Sequence, residues 1–423
     1  MTRIARRGVV ATVLTGLVAS VLTACSSGGG SGGRVTLNFY NFPDNSGAIQ
    51  QAADTCTAQS GGKYRIKYNK LPNGADGQRQ QMVRRLAAHD KSMDILGLDV
   101  TWEAEFAEAG WIREWTADNK AQAENGTLEA PLKTATWKDK LYAVPYNSNT
   151  QLLWYRSDLV PTPPKTWDEM INQAIELAKQ GKPHLIEIQG AQYEGVVVWF
   201  NSLVASAGGS ILAPDAKSAA LGQPAIDALT IMQKLAHSPA ADPSMSVQME
   251  DANRLAMESG SAAFELNYPF VYPSMKADQP ALFKNFKWAL YPRVNANVPA
   301  HVTIGGIDMA VSRYSTHPDL AFQAALCLRD RQNQLIAATV GGLPPTIASL
   351  YNDPAMQAAY PFRADILQAL ETASVRPKTP AYQNLSIVIS HLVSPAAAIK
   401  PASAEQSMVS QLKDALVSKG LIP

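Results

Sequence analysis

Cysteine and histidine are scarce in this sequence of 423 residues, and neither forms a recognisable metal motif. The six histidines, at positions 89, 184, 237, 301, 317 and 391, show no close pairing, and no H-E-x-x-H or C-x-x-C pattern occurs. A glycine-rich loop of the phosphate-binding kind is missing as well. These absences argue against metal catalysis and nucleotide binding by this chain, so no cofactor and no metal are expected.

An excess of either charge is also missing, since 37 basic residues face 36 acidic ones. No clustered basic stretch of the kind that binds a phosphate backbone is visible, and nucleic acid is therefore not an expected partner. After the first 24 residues no apolar run is long enough to predict a membrane-spanning helix.

The start of the chain has the features of a secretory signal peptide. A basic beginning precedes an apolar run from Gly8 to Leu22, which is shorter than the roughly 20 residues that span a bilayer. Leu22-Thr23-Ala24-Cys25 then resembles a bacterial lipoprotein box, which implies cleavage before Cys25 and attachment of lipid to its thiol. An ordinary signal peptide followed by a chance cysteine is the alternative.

Serine and glycine alone make up residues 26–33, a composition that is typical of a flexible tether. We therefore expect a signal peptide over 1–24, a lipid anchor and tether over 25–33, and a folded body on the extracytoplasmic face of the cell membrane.

Two cysteines remain if Cys25 carries lipid. Cys56 and Cys327 would form an even pair in an oxidising compartment, which predicts one disulfide between them. Two separate buried thiols are the alternative.

Strand-like and helix-like segments alternate along the folded body. The strand-like segments are 34–40, 64–69, 93–98, 141–145, 262–266 and 302–311. Such alternation predicts α/β architecture with mainly parallel sheets flanked by helices. Ligands bind beyond the carboxyl ends of strands in these sheets, so Asp99 and the polar loop Asn41–Gly47 are candidates for a site.

Aromatic residues stand beside carboxylates and amides in several places, notably near Asp99, near Asn149 and in Glu265-Leu266-Asn267-Tyr268. Sugars suit this combination, because their hydroxyls need donors and acceptors while their C–H faces are apolar. Arg376 is a candidate for a bidentate donor. For any single tryptophan nearby, packing in the core is the alternative interpretation.

Several motifs support a family resemblance. Thr166-Trp167-Asp168-Glu169, the stretch 315–322 and Gly341-Gly342-Leu343-Pro344 resemble the extracellular solute-binding proteins that serve sugar importers. The stretches 98–111, 149–156, 197–201 and 375–377 are similar to the mycobacterial-type trehalose-binding lipoproteins within that family.

The resemblance implies a two-lobed periplasmic-binding-protein fold with a hinge. Lobe 1 would comprise 34–146 plus 302–350, and lobe 2 would comprise 147–301 plus 351–423. It further implies a monomer that captures a disaccharide, most naturally trehalose, and delivers it to the permease of an ABC importer without catalysis. Another saccharide such as maltose is the first alternative, and an anchored glycosidase using Asp99 and Glu265 is the second.

The same resemblance implies the residues that bind the ligand. They are Asp44 and Asp99 in lobe 1, Gly342 and Leu343 at the cleft edge, and Asn149, Glu265, Asn267, Tyr268 and Arg376 in lobe 2. A loop-capping role for Asp44 is the alternative. The sequence departs from the pattern where Tyr268 replaces a tryptophan and where the segment 275–302 is abbreviated, so both put the exact disaccharide in doubt.

Overall fold

The computed structural model describes residues 34–419, and the expected signal peptide, Cys25 and the tether lie outside them. Its strands are β1 Val35–Asn41, β2 Tyr64–Lys70, β3 Ile95–Asp99, β4 Thr136–Trp137, β5 Lys140–Leu141, β6 Ala143–Asn149, β7 Leu152–Arg156, β8 Leu185–Glu187, β9 Ala262–Asn267, β10 Phe286–Ala289 and β11 Gly305–Val311. Between residues 34 and 419, no helix combines the length and apolar character that crossing a bilayer requires.

Helices surround these strands. They are α1 Ala48–Gln59, α2 Ala75–Ala87, α3 Glu103–Glu108, α4 Ala117–Glu124, α5 Glu129–Thr134, α6 Trp167–Lys179, α7 Glu194–Ser206, α8 Gln223–Ala236, α9 Glu250–Glu258, α10 Val271–Asp278, α11 Pro280–Phe283, α12 Pro318–Leu328, α13 Arg331–Gly341, α14 Pro354–Ala359, α15 Arg363–Glu371, α16 Tyr382–Val393 and α17 Pro401–Ala415.

The larger sheets define two lobes. The five-stranded sheet of lobe 1 has the order β2-β1-β3-β11-β6, and the four-stranded sheet of lobe 2 has the order β10-β7-β9-β8. Strand β6 ends at Asn149 in one sheet and β7 begins at Leu152 in the other, so the chain crosses between the lobes there. It returns to lobe 1 through β11.

The expectation of mainly parallel sheets is wrong. In lobe 1, β1 is parallel to β2 and β3, but β11 is antiparallel to both β3 and β6. In lobe 2 only β8 and β9 are parallel, while β7 is antiparallel to β9 and β10. Alternation of strands and helices predicts the relative direction of two strands only when they are consecutive in sequence. β11 joins the lobe 1 sheet after the chain has passed through lobe 2, so its direction could not be predicted in this way.

Each lobe has its own apolar core. Phe39, Leu98 and Phe106 belong to the core of lobe 1, whereas Phe200 and Phe264 belong to that of lobe 2. A smaller cluster lies around Trp154, which is fully buried, and Trp199 is fully buried in lobe 2. Packing in the core is therefore the role that the structure gives to these tryptophans.

A covalent link joins two helices on lobe 1. Cys56 of α1 and Cys327 of α12 form a disulfide, with their Cα atoms 5.8 Å apart. It closes a loop of 271 residues that includes all of the lobe 2 sheet.

Candidate ligand-binding cleft

Asp99 is the last residue of β3, in the middle of the lobe 1 sheet. Its Oδ1 accepts hydrogen bonds from the Thr101 backbone N–H at 3.0 Å and from the Thr101 hydroxyl at 2.9 Å. These bonds fix the carboxylate at the strand end. The Asp99 side chain is 20% exposed to solvent there. A strand terminus in an α/β sheet is the usual position for a ligand contact.

Arg376 reaches Asp99 from the other lobe. It belongs to the segment Ser374–Lys378, named the strap here, which pairs with the chain leading into β11 through Ser374 and Thr303. The Arg376 side chain is 2% exposed, and its Nη2 donates to Asp99 Oδ1 at 3.1 Å. Its Nη1 donates to Glu194 Oε1 at 2.6 Å. One guanidinium therefore connects a carboxylate of lobe 1 to a carboxylate of lobe 2.

Glu194 opens helix α7 of lobe 2 and is buried. Besides Arg376, the hydroxyls of Tyr382 and Ser386 on α16 donate to its carboxylate. Burial raises the pKa of Glu194, and the positive charge of Arg376 opposes that rise. The helix N-terminus and these donors all favour a negative group at this position.

Tyr268 follows β9 and lies beside the same charges. Burial raises the pKa of its hydroxyl, the carboxylate of Glu250 raises it further, and Arg376 acts in the opposite direction. A Cβ atom built on Gly305 would lie 3.9 Å from the Tyr268 hydroxyl, so the backbone at the start of β11 passes close to this ring. Its position lets the aromatic face cover one side of a bound molecule.

The expectation that Asn149 belongs to lobe 2 is wrong, because it ends β6 opposite Gly305 in the lobe 1 sheet. Its Oδ1 is buried and receives no hydrogen bond from the residues of the described chain. Buried acceptors are nearly always satisfied in folded proteins, so a free one at a strand terminus is a candidate for a hydroxyl donor from a ligand. Asp99, Asn149, Tyr268 and Arg376 thus lie at the same edge of the lobe 1 sheet.

Asp44 is occupied within its own loop. Its Oδ1 accepts from the Ser46 backbone N–H at 2.8 Å, and its Oδ2 accepts from the Ile49 backbone N–H at 2.9 Å. The carboxylate therefore caps the first turn of α1, which is the capping role considered as the alternative for this residue.

Glu265 and Asn267 lie behind Tyr268 and are both fully buried in lobe 2. Asn267 Nδ2 donates to Glu265 Oε1 at 2.6 Å, and Asn267 Oδ1 accepts from the Tyr268 backbone N–H at 2.8 Å. Burial raises the pKa of Glu265 to about 8, and the nearby charges that act on it are Glu187, Glu258 and Arg254. This pair supports the loop that carries Tyr268.

A glycosidase needs two carboxylates facing each other across the scissile bond. Asp99 faces Arg376, whereas the described partners of Glu265 all belong to lobe 2. The arrangement does not pair these two acids for catalysis.

The turn after α13 brings lobe 1 against the Tyr268 loop. Gly342 has a φ of +66°, and a Cβ there would lie 2.6 Å from the Cα of Phe270, so only glycine fits. Leu343 is 7% exposed and packs in the lobe 1 core. Gly342 therefore lies at the edge of the cleft and Leu343 anchors the turn.

Sequence reasoning did not connect Arg376 with Glu194 or with the hydroxyls that bind Glu194. Glu194 is 182 residues away from Arg376, and its donors Tyr382 and Ser386 lie on a helix that carries no motif. The available signal was a carboxylate, Glu194, at the start of a long apolar helix. A charged side chain on such a helix is seldom buried unless it is paired.

Comparison with known proteins identifies the family. The family model of bacterial extracellular solute-binding proteins matches residues 43–329. The chain belongs to this family. Membership implies an extracytoplasmic location for the folded body, and the members are solute-binding proteins rather than enzymes.

Two relatives match over most of this solute-binding protein. A probable ABC transporter-binding protein of Deinococcus radiodurans is 26% identical over 344 residues, which cover 78% of this chain and 80% of the relative. The diacetylchitobiose binding protein DasA of Streptomyces coelicolor is 22% identical over 293 residues, which cover 67% of this chain and 68% of the relative.

Solved structures show the same fold. Maltose-bound MalE3 of T. maritima has a TM-score of 0.83 and 25% identity, covering 90% of this chain and 99% of its own. The GacH receptor of Streptomyces glaucescens, described unliganded and with acarbose, has a TM-score of 0.80 and 20% identity, covering 92% of this chain and 100% of its own. The two-lobed periplasmic-binding-protein fold is confirmed.

Proposed function

We propose that this chain is the substrate-binding lipoprotein of an ABC importer and captures a disaccharide, with trehalose as the first candidate. The observation that carries the proposal is the contact of Arg376 with Asp99 of one lobe and Glu194 of the other. A ligand enclosed there meets charged donors and acceptors from both lobes, which is how hinged binding proteins convert ligand contacts into closure.

The groups at this edge suit a neutral polyhydroxylated molecule. Asp99 and the free Asn149 Oδ1 accept hydrogen bonds, Arg376 donates them, and the Tyr268 ring offers an apolar face. Arg376 is already paired with two carboxylates of the protein, so its positive charge needs no anionic ligand. The maltose and acarbose bound by the structural relatives support a saccharide.

Lobe boundaries and hinge are part of the proposal. The expected boundaries at 146/147 and 301/302 shift, because β6 keeps residues 147–149 in the lobe 1 sheet and Thr303 bonds to Asn201 and Ser202 of lobe 2. We therefore assign 34–149 plus 305–350 to lobe 1 and 150–304 plus 351–423 to lobe 2, with the chain crossings as the hinge. The mature protein would act as a monomer that presents its closed, loaded form to the permease subunits.

Calorimetric titration of the mature protein tests the ligand. We expect saturable binding of one trehalose per chain. Maltose is titrated for comparison, and tighter binding of maltose than of trehalose would make maltose the preferred sugar. A thermal-shift screen of disaccharides and oligosaccharides should raise the unfolding temperature with the same ranking. If no saccharide gives heat or a thermal shift, the assignment to sugars is wrong.

The lipid anchor has a separate test. Expression of the full chain should place it in the membrane fraction, and mass spectrometry should find acyl chains on the N-terminal Cys25 peptide. Cys25→Ser should release the protein from that fraction, because several acyl chains together hold a protein to a bilayer. Recovery of the unaltered chain in soluble form would contradict the anchor.

A further inference from the structure

Lys378 makes a second connection between the lobes. It follows Arg376 by two positions on the strap. Its Nζ donates to the backbone carbonyls of Lys133 in α5 and of Thr136 in β4, both in lobe 1. The strap therefore reaches lobe 1 with two cationic side chains.

The wall of lobe 1 that faces Lys378 is acidic. Glu103 and Asp308 are each 1% exposed, and Asp308 Oδ2 accepts from the Thr134 hydroxyl at 2.9 Å. The charge of Lys378 lowers the pKa of both carboxyls, and the charge of Asp99 raises it. Burial raises the pKa of Asp308 to about 7, and burial together with Asp308 raises the pKa of Glu103.

The seam between the strap and lobe 1 is narrow. A small cavity there is lined by Val100, Thr101 and Thr134 of lobe 1 and by residues 375–378 of the strap. In an opened protein, water would hydrate both the ammonium group and the two carbonyls, so their contact contributes only when the lobes are closed. A contact made in only one of two states shifts the population toward that state.

We infer that Lys378 is a positioning residue that holds the two lobes closed around the ligand through its contacts with Lys133 and Thr136 of lobe 1. The inference rests on the proposed function, since closure is taken as part of ligand capture. Lys378 strengthens ligand binding without touching the ligand.

Lys378→Met tests this, because methionine keeps much of the alkyl chain and removes the ammonium group. Binding of the best disaccharide should weaken about tenfold, as expected for one charge-assisted contact. The loss should come from faster dissociation, with the association rate unchanged. Lys378→Arg should recover most of the affinity, because arginine restores the positive donor.

The control is Lys140→Met. Lys140 Nζ contacts Glu114 Oε2 at 2.8 Å, and both residues belong to lobe 1. This change removes a lysine contact that does not cross between the lobes, so affinity and dissociation rate should stay at their wild-type values.

Small-angle scattering separates closure from folding and does not depend on the sugar. Ligand-free Lys378→Met should have a larger radius of gyration than the wild-type protein, with an unchanged unfolding temperature. If the variant is as compact as wild type and binds as tightly, the inference is wrong. It is also wrong if the unfolding temperature falls and Lys378→Arg does not restore affinity. Absence of sugar binding by the wild-type protein would instead contradict the proposed function.

Discussion

Two groups of acidic side chains in this molecule have different partners. In the cleft, Asp99 and Glu194 share the guanidinium of Arg376. Inside lobe 2, Glu187 and Glu265 are paired on adjacent strands, and burial raises the pKa of each to about 8. Buried carboxylates stay ionised when a cation compensates them and hold a proton when none does. Arg376 therefore ties the first group to both lobes, whereas burial favours the protonated form of the second group, which supports lobe 2 from within.

Arg376→Met should have the largest effect, because it leaves Glu194 and Asp99 without their cation. Removing one partner of a buried ion pair costs roughly 3–5 kcal/mol, so the free energy of unfolding should fall by that amount and sugar binding should disappear. Urea denaturation and calorimetry measure the two effects.

The matched control for that change is Arg254→Met. Arg254 is 17% exposed and contacts Glu258 at 2.6 Å within lobe 2. Its removal should lower stability but leave sugar affinity unchanged once the folded fraction is accounted for. Equal loss of affinity in both variants would remove the distinction between the cleft group and the lobe 2 group.

Glu265→Gln tests the protonation of the Glu187–Glu265 pair in lobe 2. A carboxyl whose pKa is raised on folding stabilises the protein below its ordinary pKa, and this contribution is lost as the pH rises through about 8. The variant should match wild type near pH 5 and be more stable by roughly 4 kcal/mol near pH 9. Urea denaturation across this range measures the difference. A stability difference that does not change with pH would show that Glu265 is ionised throughout.

Asp99→Asn keeps the shape of the side chain and its acceptor for Thr101 but removes the charge that faces Arg376. Sugar affinity should fall about tenfold to a hundredfold, since hydrogen bonds to charged groups contribute about 1.5–3 kcal/mol. Calorimetry gives the affinity of the variant directly.

Asp90→Asn is a close structural control for that change. Asp90 Oδ1 accepts from the Ser92 N–H at 2.8 Å, and its Oδ2 contacts Arg85 at 2.7 Å, all within lobe 1. Asp90, like Asp99, accepts a backbone N–H two residues later and contacts an arginine, but its arginine belongs to the same lobe. Unchanged affinity in this control, beside a loss in Asp99→Asn, would assign the effect to the cleft.

Asp44→Ala should have the smallest effect. Loss of the bond from Asp44 to the Ile49 N–H removes a helix cap, which costs about 1 kcal/mol of stability. Sugar affinity should remain within twofold of wild type, roughly 0.4 kcal/mol. A loss of affinity larger than the loss of stability would make Asp44 a ligand contact after all.

Local patterns predicted the elements well. The motif Thr166-Trp167-Asp168-Glu169 has the spacing of a capping box, and the Thr166 hydroxyl oxygen accepts from the Glu169 N–H at 3.1 Å at the start of α6. The expected strand 64–69 corresponds to β2, and the expected strand 262–266 corresponds to β9. Periodicity and capping depend on neighbours in sequence, so these features are visible before folding.

Long-range partners were harder to predict. Asp99 and Arg376 were found from a strand end and from donor geometry, but Glu194 acquires its role only when α7 packs against the strap and α16. Glu265 was expected to contact ligand, yet every side chain of β9 is buried. A fully buried strand carries no alternation that would separate a lining face from a supporting face.

The central claim is that both lobes contact one sugar bound beside the Asp99–Arg376 pair. A crystal structure of the mature protein with its tightest-binding disaccharide tests this most directly. We expect ligand hydroxyls within about 2.7–3.2 Å of Asp99, of Asn149 Oδ1 and of Arg376, with the Tyr268 ring against a sugar face. A sugar bound elsewhere, or one that leaves these four side chains without a ligand contact, would contradict the account.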